Sequence, residues 1–146
     1  MKSSRRSFIK NSSALCVSCF SSSLLMQACT SINPIIEFKS SNNTLIIKKE
    51  LLDNLGFAVI EPNNYPAPIL IKKSNNMYEA LLMLCTHKNC ELNLIGKQLI
   101  CPCHGSEFDF NGNVLSGPAD KELYQFKIHF DNQNIYISKK WKEFQF

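Results

Sequence analysis

Between residues 44 and 138 the apolar positions fall in short alternating runs, not at helical spacing. Residues 44–48 alternate around Leu45 and Ile47, and 134–138 alternate around Ile135 and Ile137. Further runs occupy 56–60, 69–72, 78–84, 99–100 and 123–130. Turn-forming residues separate them, among them Pro66, Pro68 and the stretch Asp131-Asn132-Gln133, which reads as a hairpin turn. Many short runs of period two, closely punctuated by turns, predict an all-β domain. Only residues 50–54 read as helical. The expected core is Leu45, Ile47, Val59, Ile69, Ile71, Leu82, Leu84, Phe126, Ile128, Ile135 and Ile137. A domain of roughly 100 residues buries a modest core.

Charge divides the chain in two. Residues 1–28 carry Lys2, Arg5, Arg6 and Lys10 and no acid, which accounts for the whole formal excess of +4. Beyond them, twelve lysines face twelve carboxylates and there is no arginine. The lysines read as a solvated, balanced surface, and no basic face suggests nucleic acid. Ser4-Arg5-Arg6-Ser7-Phe8-Ile9-Lys10 resembles the twin-arginine export signal, with Ile9 where leucine is usual. The uncharged stretch from Lys10 to Glu37 is long enough to span a bilayer. Six serines within residues 11–28 make it a poor permanent membrane helix. Leu25-Met26-Gln27-Ala28-Cys29 resembles a lipoprotein cleavage box. Residues 1–29 therefore read as an export signal that ends in lipidation at Cys29, in retention as an anchor, or in cleavage. Either anchor holds the protein at the membrane surface. Residues 30–43 read as a linker that would reach on the order of 45 Å when extended, and 44–140 as the domain.

Of seven cysteines, Cys16, Cys19 and Cys29 lie in the leader region. The other four lie in two short stretches, Cys85-Thr86-His87-Lys88-Asn89-Cys90 and Cys101-Pro102-Cys103-His104-Gly105-Ser106. They give C-x-H, thirteen intervening residues, then C-x-x-H. Sulfur with imidazole nitrogen suits zinc or an iron–sulfur centre and is wrong for magnesium or calcium. Two cysteines and two histidines fit a structural zinc site. They equally fit a [2Fe–2S] cluster with one histidine-ligated iron. Zinc gives no role to Cys90, Cys103 or Ser106.

The pair C-T-H-x-x-C and C-P-C-H-G-S resembles the Rieske iron–sulfur proteins. So does the run Phe108-Asp109-Phe110-Asn111-Gly112-Asn113-Val114-Leu115-Ser116-Gly117-Pro118-Ala119, of the form F-D-x-x-G-x-V-x-x-G-P-A. The resemblance covers roughly residues 44–138. It implies an antiparallel β-sandwich with a small cluster-binding unit, about 85–119, inserted at one end. It implies that Cys85 and Cys101 bind one iron of a [2Fe–2S] cluster and His87 and His104 the other, with Cys90 and Cys103 joined as a disulfide. Such a bond implies an oxidising compartment, here the periplasmic side of the membrane. Ser106 matches the position whose hydroxyl bonds a bridging sulfide, and Pro118 the loop that covers the cluster. Phe108 stands where high-potential members carry a tyrosine, which implies a lowered potential. The interval between His87 and Cys101 is shorter than is usual in the family, which implies an altered docking surface.

The function this implies is one-electron transfer, from quinol to a c-type cytochrome beside a cytochrome b in a bc-like complex. The protein would then be an electron-transfer subunit and not a stand-alone enzyme. The alternative is a small electron-transfer subunit bound to the large subunit of a periplasmic oxidoreductase, as in arsenite oxidase. A Rieske oxygenase is excluded: it needs a second iron held by two histidines and a carboxylate. His129 is the only histidine left over, and it reads as structural or merely exposed. The aromatic and charged tail, residues 141–146, reads as packing at the edge of the core.

Overall fold

The structure, a computed structural model, describes residues 33–140. Among these residues, eleven strands and one helix follow in chain order. They are β1 (Lys39–Ser41), β2 (Thr44–Lys48), α1 (Lys49–Leu55), β3 (Phe57–Ile60), β4 (Ile69–Ser74) and β5 (Met77–Leu82). Then come β6 (Asn93–Ile95), β7 (Gln98–Ile100), β8 (Glu107–Asp109), β9 (Val114–Ser116), β10 (Ile128–Phe130) and β11 (Asn134–Ser138). They form three sheets of order β1-β2-β11-β10, β3-β4-β5 and β6-β7-β8-β9. Every pairing between these strands is antiparallel. No helix among the described residues is long and apolar enough to cross a membrane. The proposed export signal, Cys29 and the tail 141–146 lie outside the described residues.

Alternation along the strands sets the layers. Leu45, Ile47, Ile135 and Ile137 of the first sheet pack against Ala58, Ile60, Ile69, Ile71, Ala80 and Leu82 of the second. The residues between them, Val59, Leu70 and Leu81, point the other way and join Leu92, Leu94, Leu99 and Phe108 of the third sheet's unit. The middle sheet is thus buried on both faces. That explains why Ile69-Leu70-Ile71 is an unbroken apolar run, all three residues fully buried. Burying each such side chain contributes about 2 kcal/mol. The expected core is found buried, except that Ile128 is only partly covered. The hairpin turn at 131–133 is closed by the Asp131 carboxylate, which accepts the N–H groups of Gln133 and Asn134 at 2.7 Å. These two bonds and the Tyr136 hydroxyl hold the Asp131 carboxyl below its ordinary range. The helix is one residue longer at each end than residues 50–54 suggest, and it ends at Gly56, whose φ of +78° suits a residue without Cβ.

Two expectations change. Residues 33–43, read as linker, are built into the domain. Val59 N–H donates to the Pro34 carbonyl at 2.8 Å, Ile36 N–H to the Val59 carbonyl at 3.2 Å, and β1 pairs with β2. Asn33 Nδ2 donates to the Leu94 carbonyl at 3.2 Å. The cause is apolar: Ile36 and Phe38 pack on the first core. Residues 123–130, read as one strand, are divided between two layers. Tyr124 and Phe126 bond the edge of β5 through Leu82 N and Ala80 O, at 2.9 and 2.8 Å. Only residues 128–130 continue as β10, in the first sheet.

Lys72 also departs from the solvated surface expected of the lysines. It is 2% exposed. Its ammonium lies 2.6 Å from Glu79, its partner across β4 and β5, and 5.6 Å from the centroid of Phe110. It also donates to Asn111 Oδ1. One buried cation therefore ties the base to the turn after β8. Lys72→Met keeps the apolar stem and removes the charge. It is expected to lower stability by about 2 kcal/mol, less than a fully buried pair costs because Glu79 still reaches water. A urea unfolding midpoint unchanged in Lys72→Met would show that the cation carries no such load.

Candidate metal centre

The two cysteine–histidine stretches fold as matched loops. Cys85 N–H donates to the Cys90 carbonyl at 2.8 Å, and Asn89 N–H returns to the Cys85 carbonyl at 2.9 Å. Cys101 N–H donates to the Ser106 carbonyl at 2.8 Å, and Gly105 N–H returns to the Cys101 carbonyl at 3.1 Å. The fifth residue of each loop has positive φ, +56° at Asn89 and +77° at Gly105. Asparagine and glycine are the residue types that tolerate this. That equivalence was legible in the sequence as Asn and Gly at matched places, and is easily overlooked because the histidines are offset by one. Each loop follows a strand or bridge that fixes it: Leu84 pairs with Glu91 before Cys85, and β7 runs directly into Cys101.

This brings the expected residues together in two pairs, the thiols of Cys85 and Cys101 and the rings of His87 and His104. Cys85 and Cys101 are free thiols, 1% and 2% exposed, held in the same apolar cluster as Leu99 and Phe108. Burial opposes ionisation of Cys101. The backbone N–H groups of His104 and Cys103 and the Cys85 thiol outweigh it, so the Cys101 thiol is held below its ordinary range. The rings of His87 and His104 meet edge to face, 4.9 Å between centroids at 85°. His87 Nδ1 is buried without a hydrogen-bond partner. An orphaned buried nitrogen costs roughly 1–3 kcal/mol, which a metal bond would relieve. Cys90 and Cys103 form the expected disulfide, joining the two loops with a Cα–Cα distance of 6.5 Å. The donor set of two thiols and two imidazoles fits the cluster.

Ser106 and Phe108 are both fully buried. Ser106 Oγ accepts Ala119 N–H at 3.0 Å, which ties the second loop to the turn holding Pro118. That bond uses an acceptor site and leaves the hydroxyl hydrogen to donate. Pro118 itself is exposed, at a cis peptide bond after Gly117. Thr86, not singled out in the sequence, donates from Oγ1 to the Lys121 carbonyl at 2.7 Å and ties the first loop to the same segment. Its polar side chain between Cys85 and His87 was the available signal. Asp109 collects the N–H groups of Asn111 and Asn113 at 2.8 Å and closes the turn after β8. His129 lies away from these loops, on β10, stacked on Tyr136 at 4.6 Å.

Known proteins are similar to this chain in sequence and in fold. A cytochrome b6-f complex iron-sulfur subunit of Prochlorococcus marinus is 42% identical over 65 residues, 43% of this chain and 36% of the relative. The subunit of the same name in Chlorobaculum thiosulfatiphilum is 32% identical over 73 residues, 49% of this chain and 40% of the relative. The chain thus spans less than half the length of these relatives. A cyanobacterial plasma membrane Rieske protein from Synechocystis PCC 6803 superimposes with a TM-score of 0.51 at 27% identity, over 62% of this chain and 94% of that one. Naphthalene 1,2-dioxygenase shares the fold at 20% identity and a TM-score of 0.51, over 66% of this chain and 26% of that one. The domain profile described as Rieske [2Fe-2S] domain matches residues 54–127, half of the chain, and with that match the chain belongs to the Rieske [2Fe–2S] family.

Proposed function

We propose that Cys85 and Cys101 hold one iron of the cluster and His87 and His104 the other. On this reading the protein passes single electrons from a quinol to a c-type cytochrome in a cytochrome bc-like complex. The observation that carries the reading is the edge-to-face meeting of two imidazoles, one half-buried and one exposed, on the same two loops that hold two buried free thiols. A [2Fe–2S] centre so ligated takes up and returns one electron, at a higher potential than all-cysteine clusters do. The chain's own groups set the conditions. The two thiols sit out of water in the apolar cluster, while His104 is exposed and His87 is partly exposed. The imidazoles therefore face the partner and can exchange a proton at their outer nitrogens, which suits hydrogen removal from a quinol. The relatives named above are subunits of cytochrome b6-f complexes, which supports a membrane redox complex as partner. The signal-like residues 4–10 and Cys29 support export to the periplasmic side of the membrane and a tether there.

Phe108 favours a second reading, an electron-transfer subunit of a periplasmic oxidoreductase working at lower potential. A phenyl ring donates no hydrogen bond to a ligand sulfur. Phe108→Tyr would add one that strengthens on reduction, by at most the about 1.5–3 kcal/mol of a bond to a charged acceptor, or up to roughly 60–130 mV for one electron. A midpoint raised by up to that amount is the expected result of a redox titration, and an unchanged midpoint would show that the hydroxyl does not reach the ligands.

Affinity purification of the full chain from native membranes separates the two readings. Co-purifying b-type haem with quinol–cytochrome c reductase activity is the expected result. A molybdenum-containing subunit without b haem would replace the first reading by the second.

A further inference from the structure

The sulfurs of Cys90, Cys101 and Cys103 lie within 4.8 Å of one another, yet the bond joins only Cys90 and Cys103. Thiol–disulfide exchange requires only that a thiolate reach one sulfur of a disulfide. We propose that Cys101, whenever no metal engages it, attacks Cys90 Sγ and moves the bridge from Cys90–Cys103 to Cys90–Cys101. Loading of the centre is then what keeps the two loops correctly joined. This rests on the reading of Cys101 as a ligand.

The step balances without an outside oxidant or reductant. Cys101 gives its thiol proton to water and its sulfur bonds Cys90 Sγ. The Cys90–Cys103 bond breaks with its electron pair on Cys103, which then takes up a proton. The burial of the three residues chooses the direction. Attack on Cys103 instead would close a ring across Pro102 alone and expel the half-buried Cys90. Attack on Cys90 expels Cys103, which is exposed, so water stabilises the departing thiolate. The product still ties the two loops together but has consumed a ligand. A stripped domain therefore cannot reload until a reducing thiol reverses the shift. Cys85, outside the trio, stays a free thiol.

The test uses the full chain, purified with its iron and sulfide measured. One half is kept loaded. The other is stripped with an iron chelator at neutral pH without reductant and held for several hours, the range of uncatalysed disulfide rearrangement. Free thiols are alkylated and the protein is cut with trypsin. Lys88 and Lys97 separate Cys85, Cys90 and the Cys101–Cys103 peptide, and fragmentation at Pro102 tells Cys101 from Cys103. The expected result is a label on Cys103 that rises about tenfold on stripping, with a Cys90–Cys101 cross-link. Among the four loop cysteines, label confined to Cys85 and Cys101, with Cys90–Cys103 intact, overturns the proposal. In Cys101→Ser the stripped protein is expected to leave Cys103 unlabelled, and labelling there would assign the attack to another thiol and overturn it too. Absence of iron and sulfide from the purified wild type would overturn the ligand reading instead. The position of the label in that metal-free protein then decides the exchange by itself.

Discussion

Cys85→Ala and Cys101→Ala each abolish the centre while leaving the base of the domain folded. Iron and acid-labile sulfide are expected to fall from about two of each per chain to near zero. The reasoning is one of donors and of layers. Each thiol is buried away from water, and the sulfurs beside Cys101, those of Cys90 and Cys103, are spent in their disulfide. Alanine takes the sulfur's place without leaving an unsatisfied polar group behind. The core between the first two sheets contains neither cysteine, so the strand signal in circular dichroism persists. Metal binding also stabilises the loops that provide it, so the loss includes the order of residues 85–90 and 101–106. Wild-type iron content in either variant would show that the centre is held elsewhere. Loss of the strand signal would show that the thiols support the base itself.

The double change Cys90→Ser, Cys103→Ser is expected to cost about 3 kcal/mol. The bridge closes a loop of sequence separation 13. Removing such a constraint from the unfolded chain gives that figure in the loop-entropy account. For a domain of this size it corresponds to a melting temperature lower by roughly 10–20 °C. The effect is directed at the centre, because the bridge is the one side-chain covalent link between the two cysteine–histidine loops among the described residues. The bleaching of visible absorbance in urea should therefore move to lower denaturant together with, or ahead of, unfolding of the base. Equal midpoints in the double variant and the wild type would contradict a load-carrying bridge. The change also removes the acceptor disulfide from the exchange proposed above.

Much of this is legible in the sequence. The long strands announced themselves because each offers two inward residues, as Leu45 and Ile47 do in β2. The strands β6, β8 and β9 have three residues each and at most one buried residue, such as Leu94 or Phe108, and one residue has no period. The division of residues 123–130 between two sheets was hidden for a related reason. Alternation says that a strand has two faces, not which layer each part joins. The paired loops were legible as chemistry, since soft donors in matched stretches have few uses. Their shared backbone pattern, with Asn89 and Gly105 at the turn, was legible only as two unremarked turn formers. Lys72 was invisible because burial of a lysine depends on Glu79 and Asn111, one on the next strand and one 39 residues away.

An EPR-monitored redox titration of the loaded protein at several pH values tests the central claim most directly. Two thiolates and two outward imidazoles predict a Rieske-type signal whose midpoint falls as pH rises through and above neutrality, because the electron is taken up together with a proton. A protein carrying its full iron and sulfide that gives no Rieske-type signal would contradict the assignment of Cys85, His87, Cys101 and His104.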